Sequence, residues 1–223
     1  MSSKGPSGLD KVNKSEAKAE QRMRSAEESI RDSDTEHALI FDKDGNVIKR
    51  LDGNNEGYEM DEEAERMFKD GRAYEMTHNH PDVYIDGVKI DGGTFSADDI
   101  ADMVAFHRGR IRAVSGETTH MLRKIVSETG GSKTGHSLFG GNNGAKSTKK
   151  DAGNFASDYQ RFMDKAKDRA GSITEKLILS GKLPYNVQAF TQYSMTLWTK
   201  MGSKWLENHA KDYGYEYRES RRK

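Results

Sequence analysis

Apolar positions along this chain change period several times, and each change predicts an element. Over residues 15–31 charged side chains dominate, and Ala19, Met23, Ala26 and Ile30 recur at three- and four-residue spacing. That pattern predicts a largely solvated helix docking one narrow stripe, with a disordered arm before it. Residues 36–41 then form a short apolar run, Asp42-Lys43-Asp44-Gly45 supplies a turn, and residues 46–51 return, which together predict a hairpin. Residues 61–68 read as a helix whose acidic first turn suits the positive end of its dipole. Residues 73–77 predict a strand, and residues 83–90 alternate around Asp86-Gly87 as a second hairpin. Ile100, Met103, Val104 and, seven after Ile100, a packing His107 give a helical stripe over 97–107, followed by strands at 110–115 and 119–126.

The pattern breaks over residues 130–150, where Gly, Ser, Asn and Lys predict a mobile linker. Beyond it, residues 154–179 and 187–212 read as helices. The second carries Phe190, Tyr193, Leu197, Trp198, Trp205 and Leu206, a broad apolar face expected to pack into a core. The expected division is an arm and solvated helix at 1–33, a mixed domain at 34–127, a linker at 128–152 and a helical extension at 153–223. Strands alternating with helices make the mixed part an α/β or α+β domain.

Chemistry concentrates in His78-Asn79-His80-Pro81, at the end of a predicted strand. Residues two apart on a strand project to one side, so His78 and His80 can offer two imidazoles to one point. Two imidazoles and one carboxylate make a zinc site with a position left for water, and Asp99 in Phe95-Ser96-Ala97-Asp98-Asp99 is the natural third ligand. A base is then needed, and Glu36 is the best candidate upstream. Ser-x-x-Asp before an apolar periodicity is equally an ordinary helix start, with Ser96 as N-cap.

A glutamate opening a hairpin, His-x-His at a strand end and then Ser-x-x-Asp resembles the JAB/MPN (JAMM) metalloprotease domain, and the wording is closest to the RadC-like and phage-associated JAB-like branches. The resemblance covers roughly residues 34–127. It implies a curved sheet flanked by helices, Zn²⁺ held by His78, His80 and Asp99, Glu36 as general acid/base, Ser96 assisting an oxyanion, and a protein or peptide substrate cleaved at a peptide, isopeptide or related amide bond. Its alternative is an inactive scaffold serving as a phage-associated structural or protein-binding module. The chain departs from the family in a longer separation between the second histidine and the aspartate, which the 83–90 hairpin fills.

Other motifs carry less. The letters His-Asn-His lack the spread of an HNH nuclease, Asp42-x-Asp44 lacks the closing glutamate of a calcium loop, and the Gly-rich stretch lacks the Gly-Lys-Ser/Thr of a phosphate loop. His37, His120, His136 and His209 have no partner at metal spacing, and the absence of cysteine excludes thiolate zinc sites, thiol nucleophiles and disulfides together. Lys+Arg and Asp+Glu are both 36, so net charge gives no pull toward nucleic acid. No apolar run reaches a membrane span and residues 1–14 lack a secretory core, which makes a cytoplasmic protein, whether host-located or virion-associated, the simplest expectation. Nothing in the pattern bears on oligomeric state.

Overall fold

Alternation along one short strand decides how the rest packs. β1 (His37–Phe41) sends Ala38 and Ile40 to one side and Leu39 and Phe41 to the other, and all four are buried, so both faces of its sheet must be covered. A computed structural model describes residues 14–54, 57–85, 87–106, 109–125 and 150–222 and has a mixed α/β architecture. The expected arm at 1–13, the linker up to residue 149 and His107 lie outside the described residues.

α1 (Lys14–Glu27) covers the first face. Ala19, Met23 and Ile30 pack with Leu39, Phe41 and Val114, which is the predicted stripe. The hairpin partner β2 (Val47–Asp52) follows a turn in which Asp42 accepts from the backbone of Asp44 and Asn46, and Gly45 takes φ 77°. A Cβ there would sit 2.3 Å from the Ala19 carbonyl oxygen, so glycine lets α1 cross the turn.

α2 (Glu62–Lys69) is capped by Asp61, which accepts from the Ala64 amide at 2.8 Å, and β3 (Glu75–Asn79) then pairs antiparallel with β1. The predicted second hairpin forms as β4 (Val83–Ile85) and β5 (Val88–Ile90). It is followed by α3 (Ala97–Ala105), and then β6 (Arg110–Val114) lies parallel to β3. A parallel pair needs a crossover, and residues 80–109 provide it. β7 (Thr118–Lys124) turns back antiparallel to β6.

α4 (Phe155–Leu179) and α5 (Val187–His209) form the expected helical pair. Phe155, Tyr159, Met163, Leu206 and Tyr213 bury with Ile40, Met76, Phe95 and Ile111 on the second face of the sheet. Gly202 permits the close helix approach, since a Cβ there would meet the Tyr159 hydroxyl at 2.8 Å. The apolar face of α5 is only partly consumed: Leu206 is buried, whereas Val187, Phe190 and Tyr193 are exposed.

Two features depart from the sequence pattern. The extension read as helical, with no strand expected after residue 212, ends in one, β8 (Tyr215–Arg221), which pairs antiparallel with β7 and completes the order β2-β1-β3-β6-β7-β8. Tyr215 and Tyr217 alternate with Glu216 and Arg218, a strand period, and β7 offers them an open edge. The docked side of α1 is also not purely apolar. Arg110 and Arg112 project from β6 toward it, where Arg112 meets Glu27 at 2.7 Å, Glu20 at 2.6 Å and Glu75 at 2.8 Å, and Arg110 contacts Glu20 at 3.1 Å and also Glu75. Glu27, Glu75 and Arg112 are all buried. Among the described residues no helix is long and apolar enough to cross a membrane.

Candidate metal centre

The parallel β3–β6 pair positions the site. Its crossover returns the N-terminus of α3 to the carboxyl end of β3, the place where open α/β sheets receive ligands. His78 is fully buried on the same face as Met76, and His80 follows on the same side, its backbone N–H donating to the Val114 carbonyl at 2.8 Å. Ser96 caps α3 through a capping box: its Oγ accepts from the Asp99 amide at 3.0 Å, while the Asp99 carboxylate accepts from the Ser96 amide at 2.7 Å. The cap therefore fixes the carboxylate that faces the histidines.

The side chains converge. His78 Nε2 lies 2.9 Å from His80 Nε2 and 3.0 Å from Asp99 Oδ1, and His80 Nε2 lies 3.4 Å from Asp99 Oδ2. Ligands on a zinc ion with bonds of about 2.0–2.2 Å stand roughly 3–4 Å apart, so this spacing fits one ion. Glu36, just before β1, brings a carboxylate oxygen within 4.8 Å of both imidazoles. Either carboxylate can complete a set with the histidines, Asp99 through its contacts at 3.0 and 3.4 Å and Glu36 through an oxygen within 4.8 Å of both.

Proton counting points the same way. Both Nε2 atoms turn toward one another and the carboxylate, while both Nδ1 atoms are buried without a partner. Two facing imidazole nitrogens need a proton or a cation between them. Burial opposes the charged form of Asp99, yet His78 and His80 outweigh it and hold the carboxyl well below the usual range. His80 is raised, because Asp99 and Glu36 overcome the opposing effect of burial. Glu36 is raised by burial, reinforced by Asp99 and resisted by the two histidines. Tyr58, its ring 5.6 Å from that of His78, and Phe95, at 6.3 Å, keep one flank of the cluster aromatic.

Asn79, between the histidines, points to the opposite face. Its carbonyl accepts from the His37 amide at 2.7 Å and its NH₂ donates to the Thr35 carbonyl at 2.9 Å, so one side chain brackets the residue that carries Glu36. Ser96 behaves differently from the expected oxyanion donor. Its single hydroxyl proton goes to Asp99 Oδ2 at 2.8 Å, which makes Ser96 the residue that orients Asp99 in this arrangement.

Sequence reading missed the bracket formed by Asn79 and the setting of His120. His120 lies on β7, with Nδ1 2.8 Å from the Tyr217 hydroxyl, and burial together with His80 pushes it down to about 4. The available signal was its place in a predicted strand opposite an alternating Tyr-x-Tyr segment. Comparisons with protein-family models, curated proteins and solved structures find no match for this chain.

Proposed function

We propose that this protein is a zinc-dependent hydrolase of the JAB/MPN type that cleaves a peptide, isopeptide or related amide bond. The observation that carries the reading is the convergence of His78, His80 and Asp99 on one point with Glu36 beside them. Zinc held by the two imidazoles and Asp99 would supply a Lewis acid and a water acidified from about 15.7 toward about 7. Glu36 then takes a proton from water in the cleft and returns it to the leaving amine, a task suited to a carboxyl whose proton affinity burial has raised. Ser96 keeps the Asp99 carboxylate turned to the histidines. The β4–β5 hairpin begins three residues after His80 and would serve as a flap, with Val83 and Tyr84 exposed on it.

Role separates the test variants. His80→Ala removes a ligand and is expected to purify without zinc, whereas Glu36→Gln keeps zinc and loses hydrolysis. Metal analysis by mass spectrometry on wild type and both variants reads this directly. Equal zinc in wild type and His80→Ala would sink the ligand assignment, and no zinc in either would leave a metal-free scaffold, a second reading favoured by the exposed Tyr185, Val187, Phe190 and Tyr193 around the start of α5.

A further inference from the structure

Burial in the α4–α5 hairpin stops partway along both helices. Buried positions recur along α4 as far as Thr174, and along α5 they begin only at Gly202. From residue 175 to residue 201 no residue is buried. The turn between the helices is nonetheless closed, since the Lys182 and Leu183 amides both donate to the Leu177 carbonyl, at 2.8 and 3.3 Å, and Gly181 takes φ 73°. The end of the hairpin is therefore ordered, and each helix there is covered mainly by the other.

What that end shows to water is apolar. Tyr185 is 89% exposed, Leu179 73%, Val187 63%, and Phe190 and Tyr193 39% each. Val187, Phe190 and Tyr193 recur at three-residue spacing, so they stay within about 120° of one side of α5. Phe190 also leans on α4, where a Cβ on Gly171 would stand 3.8 Å from its ring, and Leu179 ends that helix, so both helices share the patch. At about 200 Å² for a fully exposed aromatic side chain the three rings present roughly 330 Å², and Leu179 and Val187, at about 100 Å² of apolar surface each, raise this to roughly 450 Å². Each partner of a stable pair contributes about 800 Å², so five side chains already supply more than half.

The same stretch carries no charge. Between Lys182 and Lys200 seventeen consecutive residues, Leu183 to Thr199, include no Asp, Glu, Lys, Arg or His, whereas a chain that is 32% charged places about five charges in such a length. A helix buried on all sides is neutral for its own reasons, but this one is not buried anywhere along the run. Neutrality on an exposed helix narrows the choice of partner. Lipid surfaces hold amphipathic helices through Lys and Arg on the polar face, and a charged protein needs opposite charges to meet; the run offers neither. A two-fold contact instead brings one patch against its own copy, so any charge near the axis would face a like charge. An uncharged apolar surface escapes that repulsion and suits a second copy of this chain.

We propose that the end of the α4–α5 hairpin joins two copies of this chain about a two-fold axis, apolar patch against apolar patch. Four helices then share one seam, and Tyr185, Val187, Phe190 and Tyr193 leave water. No residue of the metal cluster belongs to the patch. Pairing needs neither zinc nor turnover, so it is independent of the hydrolase reading.

The test is analytical ultracentrifugation of the full chain at about 50 μM, where a pair of micromolar affinity is mostly formed. Wild type and His80→Ala should both sediment as dimers. Val187→Glu combined with Tyr193→Glu sets like charges against one another and should weaken pairing at least tenfold, as should Val187→Lys combined with Tyr193→Lys. Mixing the two variants should restore pairing, because opposite charges then face across the axis. Circular dichroism melts confirm that each variant is folded. A monomeric wild type overturns the proposal, and its binding to neutral phosphatidylcholine vesicles would mark the patch as a lipid contact instead. A dimer retained by both folded variants, or a mixture that pairs no better than either variant alone, overturns it as well. Dimers formed by a wild type free of zinc uphold the contact and sink the hydrolase reading alone.

Discussion

Replacing Glu75 by glutamine should make the protein relatively more stable as pH rises. The cluster beneath α1 sets three carboxylates, Glu20, Glu27 and Glu75, against Arg110 and Arg112, with Arg24 pairing Glu20 at its outer edge. Burial pushes Glu75 up to about 7 from an ordinary 4.5, with Arg112 and Arg110 pulling it back and Glu27 adding to the rise. Between those values the folded chain holds a proton that the unfolded chain releases, so this contribution to stability is present below pH 4.5 and lost as pH climbs to about 7. The interval, at about 1.4 kcal/mol per pH unit, bounds the effect at roughly 3 kcal/mol. Glutamine cannot ionise, yet keeps a polar side chain of the same shape beside Arg112, whose Nε stands 2.8 Å from Glu75 Oε1. Urea unfolding of wild type and Glu75→Gln at pH 4.5, 6 and 7.5, with chelator throughout, gives the difference directly. It should move in favour of the variant by up to roughly 3 kcal/mol across that window. A flat difference, or one that moves toward wild type, would mean that Glu75 is ionised throughout as an ordinary partner of Arg112, and that burial does not govern it.

Ser96→Ala removes both the cap of α3 and the hydroxyl that orients Asp99, so it should cost about 1 kcal/mol of stability and about 10- to 100-fold in zinc affinity, measured by unfolding and by competition with a chromogenic chelator. Unchanged zinc affinity would remove Ser96 from the site. Exchanging residues 83–92 for a short glycine linker should preserve folding and zinc while lowering turnover of a protein substrate, because the β4–β5 flap can hold an extended chain by strand addition. Loss of zinc instead would show that the insertion serves to place Asp99.

What the sequence made legible was local. The turn at Asp42 to Gly45, the shared side of His78 and His80, and the N-cap at Ser96 each follow from residues within a few positions of one another. Distant pairings were not legible. β8 joins β7 across about a hundred residues, and its Tyr-x-Tyr alternation has meaning only once β7 presents an open edge. The same holds for α1: Glu20 and Glu27 look like solvated charges until Arg110 and Arg112 arrive from β6, and alternation within a strand does not say which face will be covered by a helix. His120 has no neighbour at metal spacing in the sequence, and it joins the row of His78 only through two successive pairings.

Asn79 makes the centre fail as a unit. Its amide is fastened to the backbone on either side of Glu36, so the loop before β1 cannot fray without first breaking two bonds to a fully buried residue flanked by both imidazoles. Local opening therefore has no intermediate stage in which the histidines stay aligned while Glu36 wanders. Warming or mild denaturant should take the arrangement from intact to absent in one cooperative step, so a population of molecules at a given temperature divides into fully competent and fully incompetent members rather than sliding through graded impairment.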